Sequence, residues 1–270
     1  MPPAPNRLDT RFATLKSSGK RAFVAYICAG DPTLGATVEI VKGLESAGVD
    51  VVELGLPFSD PLADGIVNQL AADRALRNGT TTIKVLGMIK RIREVSQIPI
   101  VLFTYLNPVY TYGYEKFHID AHAAGADGVL VLDLPPDEAA QNVELKPAPG
   151  LHHIQLIAPT TPEERVPVIA KVAEGFIYYV SREGVTGTQT TVATGISEMV
   201  KSIQATTSVP VCVGFGISNP EQAAQVASMA DGVVVGSAIV KLIAQHSQAA
   251  DLAQRVTDFV KPLVDAVKAI

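Results

Sequence analysis

The chain has 270 residues, 47% of them hydrophobic and 18% charged, with a formal net charge of −5. That composition excludes an intrinsically disordered chain, and the acidic balance leaves no basic footprint for nucleic acid or for an anionic membrane surface. At about 150 residues per domain the length suits two ordinary domains or one large α/β barrel, and a compact chain of this size hides about three quarters of its surface.

The first residues carry no apolar segment of the kind a secretory leader needs. No stretch reaches 18 uncharged apolar residues, so no membrane span is expected and a cytoplasmic protein is the default. Residues 7–17 have helical periodicity. Apolar runs of strand length then follow at 22–28, 49–54, 98–104, 128–133, 152–157, 175–180, 209–213 and 232–235. They are near-continuously apolar instead of alternating, which suits parallel strands buried on both faces. Cys28 and Cys212, the two cysteines, sit inside such runs and are expected as buried thiols, not as a disulfide framework.

Helix-period segments lie between the runs, for example 37–47, 163–173, 196–205 and 220–229. Two helices close on a repeated phrase, Ala47-Gly48-Val49-Asp50 and Ala124-Gly125-Ala126-Asp127, with Met229-Ala230-Asp231 as a variant. Glycine just past a helix suits a left-handed cap. Alternating strand and helix without a break in composition predicts a parallel sheet wound by right-handed crossovers. Eight units can form an open doubly wound sheet or close into a barrel. With no linker that divides the chain, a single (β/α)8 TIM barrel over residues 1–270 is favoured. Extra helices are expected at 7–17, after the second run (66–78 and 82–95) and at 249–269.

In such a barrel the chemistry sits at the C-terminal ends of the strands. Glu53 stands there, in Val51-Val52-Glu53-Leu54-Gly55. An unpartnered ionised carboxylate in that setting costs several kcal/mol, so its pKa is expected to rise toward neutrality, where it can move protons. Asp64 follows in the next loop, and the two suggest carboxylates with different environments and divided roles. Gly214-Phe215-Gly216-Ile217-Ser218 and Gly236-Ser237 follow the last two runs, where barrel enzymes often bind phosphate through bare backbone N–H groups and a helix N-terminus. Ser237 adds a hydroxyl and is expected to cap its helix. Asn219 occupies the place where a dinucleotide fingerprint needs its third glycine, so a Rossmann reading is weak. The polar stretch from Ser181 to Gly195, with glycines at both ends, reads as a lid. The five histidines form no metal-binding motif, and His152 and His153, adjacent on a strand, point to opposite faces. No metal site is expected.

Further stretches complete a pattern: Gly30-Asp31-Pro32, the segment from Glu53 through Pro57-Phe58-Ser59-Asp60 to Asp64-Gly65, Tyr105-x-Asn107-Pro108, Asp133-x-Pro135, Tyr178-x-x-Ser181-Arg182-x-Gly184-Val185-Thr186-Gly187 and Gly236-Ser237-Ala238-Ile239-Val240. Together with the loops above, they resemble the α subunit family of tryptophan synthase over nearly the whole chain. The resemblance implies a carbon–carbon lyase that splits indole-3-glycerol phosphate into indole and glyceraldehyde 3-phosphate in tryptophan biosynthesis. It makes Glu53 the acid/base, Asp64 the stabiliser of charge at the indole nitrogen, and Tyr178 their neighbour. It implies a phosphate cup of Gly187, Phe215, Gly216, Gly236 and Ser237. The implied indole pocket is Tyr26, Phe103, Leu130 and Phe215, and the implied partner rim is Pro57, Asp60, Asn107 and Pro108. No cofactor is implied in this chain; pyridoxal phosphate is expected in a β subunit, within an α2β2 heterotetramer.

The chain departs from the family at Ile66 and Ala25, where proline is usual, and at Thr188-Gln189-Thr190-Thr191, which lacks a charged residue. Two alternatives stay open: a stand-alone lyase releasing free indole, and a partner subunit that mainly activates the β chain.

Overall fold

A computed structural model of the chain describes residues 6–142, 145, 149–181, 189–214 and 216–270, and of 189–194 the backbone alone. Nine strands form one parallel sheet: β1 (Ala22–Cys28), β2 (Val51–Gly55), β3 (Ile100–Thr104), β4 (Gly128–Val131), β5 (His152–His153), β6 (Gln155–Ile157), β7 (Ile177–Val180), β8 (Val211–Gly214) and β9 (Gly232–Val235). Their order is β5-β4-β3-β2-β1-β9-β8-β7-β6. All eight expected runs are present, and the fifth is divided into two short strands, β5 and β6, because it changes partner at Ile154. The N–H groups of His152 and Ile154 donate to Asp127 and Val129 on the β4 side, whereas Gln155–Ile157 pairs with β7. The two ends of the sheet meet in one run, and the sheet wraps into a nearly closed barrel.

Around it stand twelve α-helices among the described residues: α1 (Arg7–Ser17), α2 (Leu34–Ala47), α3 (Ile66–Arg77), α4 (Thr82–Arg93), α5 (Leu106–Tyr112), α6 (Tyr114–Ala124), α7 (Pro136–Gln141), α8 (Val166–Val172), α9 (Gln189–Gln204), α10 (Pro220–Ala227), α11 (Ser237–Gln245) and α12 (Leu252–Lys268). The expected extra helices are α1, α3, α4 and α12. None of the described helices is long and apolar enough to cross a membrane.

Every residue of β1 is buried. Phe23, Ala25 and Ile27 belong to the outer core against the helices, while Ala22 and Val24 join the barrel interior with Val51, Val101, Leu130, Ile154, Phe176, Cys212 and Val234. Alternation of side chains along a strand divides the two cores. Leu8, Phe12 and Leu15 of α1 are buried in the interior cluster and close its N-terminal end. Burial of that kind stabilises by about 1.5–3 kcal/mol per side chain. Cys28 and Cys212 are free, buried thiols, as expected.

The Ala-Gly-x-Asp phrase does two jobs. Gly48 (φ +93°) and Gly125 (φ +102°) are left-handed caps. The aspartate side chains then accept a backbone N–H from the start of a neighbouring strand: Asp50 from Phe23 (2.6 Å), Asp127 from Ile100 (2.8 Å) and Asp231 from Val211 (2.9 Å). Asp50 also pairs with Arg11 of α1 and Lys268 of α12, and Asp127 with Arg7 and Arg93. A buried carboxylate is tolerable when its lone pairs are used in this way. The N-terminal face is therefore pinned, which leaves the opposite face free to carry the site.

Candidate active site

Glu53 projects from β2 into the barrel, opposite Tyr26 on β1 and Val101 on β3. It is fully buried, and neither carboxylate oxygen has a hydrogen-bond partner among the described residues. Burial alone pushes its pKa up to about 8. At neutral pH Glu53 therefore holds a proton and can act as an acid, with the strand fixing its place.

Asp64 differs in each respect. It lies in the loop between β2 and α3 and is half-buried. The Tyr105 hydroxyl donates to its Oδ2 at 3.0 Å and accepts the Ala63 N–H at 3.1 Å. The Asn68 amide, from the first turn of α3, approaches Oδ1 at 3.5 Å, and Gln69 donates to the Asp64 carbonyl at 2.9 Å. Burial raises the Asp64 pKa, while the hydrogen bonds from Tyr105 and Asn68 pull it down. The Phe58 ring lies 5.6 Å from that of Tyr105 and steadies the loop. Tyr105 and Asn68 were not singled out from the sequence as partners of Asp64. Their only signal is position, at the end of an apolar run and one helical turn past the loop.

Tyr178 stands on β7 between Leu156 and Cys212. Burial, then the fields of Glu53, Cys212 and Asp64, push its phenol well above its ordinary pKa. Its hydroxyl lies 2.4 Å from where a Cβ on Gly214 would stand, so this position on β8 must be glycine for the ring to cross it. Tyr26 meets Phe103 edge-on, with ring centroids 5.0 Å apart. Phe103 in turn pairs with Leu130 across β3 and β4. The three expected indole-pocket residues on β1, β3 and β4 thus form one continuous apolar wall beside Glu53.

Gly216 (φ +50°) follows β8, and Gly236 is the N-cap of α11. The expected cap at Ser237 is corrected: Ser237 is the first helical residue, and no side chain caps this helix. Gly216, Ser218 and Ser237 line one open cavity of about 400 Å³. Gly187 and Phe215 lie outside the described residues, as does the first half of the expected lid. The second half of that lid is corrected too, since α9 begins at Gln189 and continues through Gly195. Asn107 and Pro108, implied by the resemblance as part of the partner rim, lie in the first turn of α5, where a proline displaces no helical hydrogen bond. With Pro57 and Asp60 they reach the surface around the barrel mouth. Among the described residues, no group of three or more His, Cys, Asp or Glu could hold a metal ion.

The sequence model of the tryptophan synthase alpha chain matches residues 12–268. The chain belongs to the tryptophan synthase alpha chain family. The tryptophan synthase alpha chain of Geobacter sulfurreducens is 50% identical over 262 residues, covering 97% of this chain and 99% of that one. The alpha chain of Opitutus terrae is 49% identical over 241 residues, covering 89% and 91%. Among solved structures, tryptophan synthase subunit alpha from Legionella pneumophila superposes with a TM-score of 0.90 at 38% identity, covering 99% of this chain and 100% of that one. The TIM-barrel architecture expected from the strand runs is the family's fold.

Proposed function

We propose that this chain cleaves indole-3-glycerol phosphate to indole and glyceraldehyde 3-phosphate as the α subunit of a tryptophan synthase. The observation that supports this most strongly is the protonated Glu53 in a fully buried strand position, without a hydrogen-bond partner among the described residues, with Asp64 held separately on a hydrogen-bonded loop.

The reaction runs as two proton transfers about one broken bond. Glu53 gives its proton to the indole ring carbon that bears the glycerol chain, and positive charge develops at the ring nitrogen. Asp64, more solvated, supplies the compensating negative charge. The Glu53 carboxylate then takes the proton of the glycerol hydroxyl beside that carbon. The carbon–carbon bond breaks, its electron pair returns to the ring, and the aldehyde departs. Glu53 ends protonated, as it began. Tyr178 lines the site beside it.

Gly216, Gly236 and Ser237, joined by Gly187 and Phe215, take the phosphate through backbone N–H groups at the start of α11. Tyr26, Phe103 and Leu130 take the indole, with Phe215. These steps use protons and electron pairs of substrate and protein alone, so the reading assigns no cofactor to this chain and leaves pyridoxal phosphate to the β partner. The rim formed by Pro57, Asp60, Asn107 and Pro108 faces that partner in a cytoplasmic α2β2 heterotetramer. Leu62, 90% exposed in the same loop, adds an apolar contact.

The test is indole release by the purified chain, titrated with a β subunit. A rate that rises on titration supports the partnered enzyme. A rate already maximal alone favours the stand-alone lyase, and no cleavage under either condition overturns the reading.

A further inference from the structure

Tyr26 and Tyr178 stand in the same relation to the strands beside them. Each is a largely buried tyrosine whose ring crosses a glycine two residues beyond its register partner. Tyr178 pairs with Cys212 and crosses Gly214; Tyr26 pairs with Glu53 and crosses Gly55. A Cβ on Gly55 would stand 2.3 Å from the Tyr26 hydroxyl, so that hydroxyl sits on the mouth side of Glu53, along the same face of β2. Phe103 meets the ring edge-on at 5.0 Å and holds it there. Both tyrosines feel the carboxylates of Glu53 and Asp64.

Indole-pocket duty calls for the ring alone and gives no use for the oxygen. A phenylalanine would pack against Phe103 and cross Gly55 equally well. Glu53, meanwhile, has two carboxyl oxygens without a partner among the described residues. When it gives up its proton, the resulting charge is left in an apolar barrel and needs a donor. Side chains directly opposite on neighbouring strands have Cβ atoms about 5 Å apart, so a glutamate turned toward the mouth comes within reach of the phenol.

We propose that Tyr26 is a positioning residue whose hydroxyl donates a hydrogen bond to the ionised form of Glu53. This rests on the cleavage reading above. The phenol lowers the cost of the charge that Glu53 acquires on protonating the ring carbon, and it releases the carboxyl when the proton returns.

Tyr26→Phe tests it. Relative to the unaltered chain, the variant should lose roughly tenfold in kcat near pH 7 while KM stays within about twofold. Its alkaline activity limb should move up by roughly one pH unit, a tenfold change in one protonation equilibrium. A general loosening of the fold would lower activity without moving that limb upward. Unchanged kcat and limb, or a rise in KM alone, would show the hydroxyl to be idle or a substrate contact and would overturn the proposal. An infrared titration of the Glu53 carboxyl, assigned by its loss in Glu53→Gln, provides a readout that needs no turnover. It should titrate at higher pH in Tyr26→Phe. Coincident titrations would overturn the proposal even if the chain proved not to cleave this substrate. If Tyr26→Phe does not fold, 3-fluorotyrosine at position 26, a stronger donor, should move the Glu53 titration down, and no movement would overturn it.

Discussion

The Tyr105 hydroxyl donates to Asp64 at 3.0 Å while accepting the backbone N–H of the residue before it, Ala63, at 3.1 Å. One phenol thus fixes both the carboxylate and the loop that carries it. Asp64 is held at once from the residue that follows β3 and from α3, although its own segment is a loop. Tyr105→Phe should therefore lower kcat/KM roughly tenfold, since a hydrogen bond to a charged group is worth about 1.5–3 kcal/mol and this one is partly exposed. Steady-state cleavage beside a thermal melt checks it; unchanged kcat/KM would show that Asp64 needs no such anchor.

Glu53→Gln keeps size and removes proton transfer. Cleavage should fall by at least about 10²–10⁴-fold, with affinity for a phosphate ligand within a few-fold. The same change bears on stability. The folded pKa is raised from 4.5 to about 8, so the native state holds the proton more tightly than the unfolded chain. The favourable contribution is complete below about pH 4.5 and is lost as pH rises toward 8. Urea unfolding at pH 6 and 9 should show the unaltered protein losing more stability than Glu53→Gln between those values.

Gly236→Asp sets a carboxylate at the start of α11. If the substrate's phosphate rests there, repulsion at about 4 Å and an effective dielectric near 20 is about 4 kcal/mol per charge pair. Affinity for glyceraldehyde 3-phosphate should drop well over tenfold. Calorimetry giving the unaltered affinity would move the phosphate elsewhere. A Cβ at this position meets the Tyr26 side chain at 3.2–3.5 Å, so Gly236→Ala separates crowding from charge.

A histidine pair outside the site, His118 buried and His153 half-buried, should govern acid tolerance. The His118 Nδ1 lies 2.7 Å from the Tyr114 carbonyl and so donates to it, which leaves Nε2 to accept from His153 Nε2 at 2.9 Å. A proton added to His118 at Nε2 would set two N–H groups against each other, so that ring stays neutral while the bond holds. Burial, then His118 and His152, push the His153 pKa down to about 4; Glu174 accepts its backbone N–H. Here the unfolded chain binds the proton first, so stability is lost as pH falls from about 6.5 toward 4, by up to about 3 kcal/mol. His153→Gln should flatten that part of the pH–stability curve measured by denaturant unfolding. Parallel curves would remove the pair from the explanation.

Much of this barrel is printed in the chain because strands covered on both faces read as unbroken apolar runs. Glu53 was legible for the same reason, as a carboxylate where its neighbours are all apolar. The partner change at Ile154 was not, since a switch between two parallel neighbours leaves the apolar pattern untouched. Short helices such as α5 and α7 escaped because fewer than two turns establish no period. The start of α9 reads as loop because threonines and Gly195 are poor helix formers. Tyr105 was quoted in a motif, but its tie to Asp64 spans 41 residues and an aromatic at a strand end reads as core. The repeated aspartates were seen as part of a helix stop. Their bonds to neighbouring strands depend on pairing that no local pattern states.

Those three aspartates have a bearing on how such a barrel can change over time. Each clamps a strand where it enters the sheet, far from the chemistry, and two of them also hold an arginine of α1. A loop at the opposite rim can lengthen, shorten or change composition without disturbing these clamps. The departures at Ile66 and Thr190 fall in the first turns of α3 and α9, on that rim, whereas the one at Ala25 lies in the buried strand β1. Tolerance of the fold to mutation should be polarised along the barrel axis: changes in the loops at the mouth should cost little stability, and changes where the strands begin should cost much.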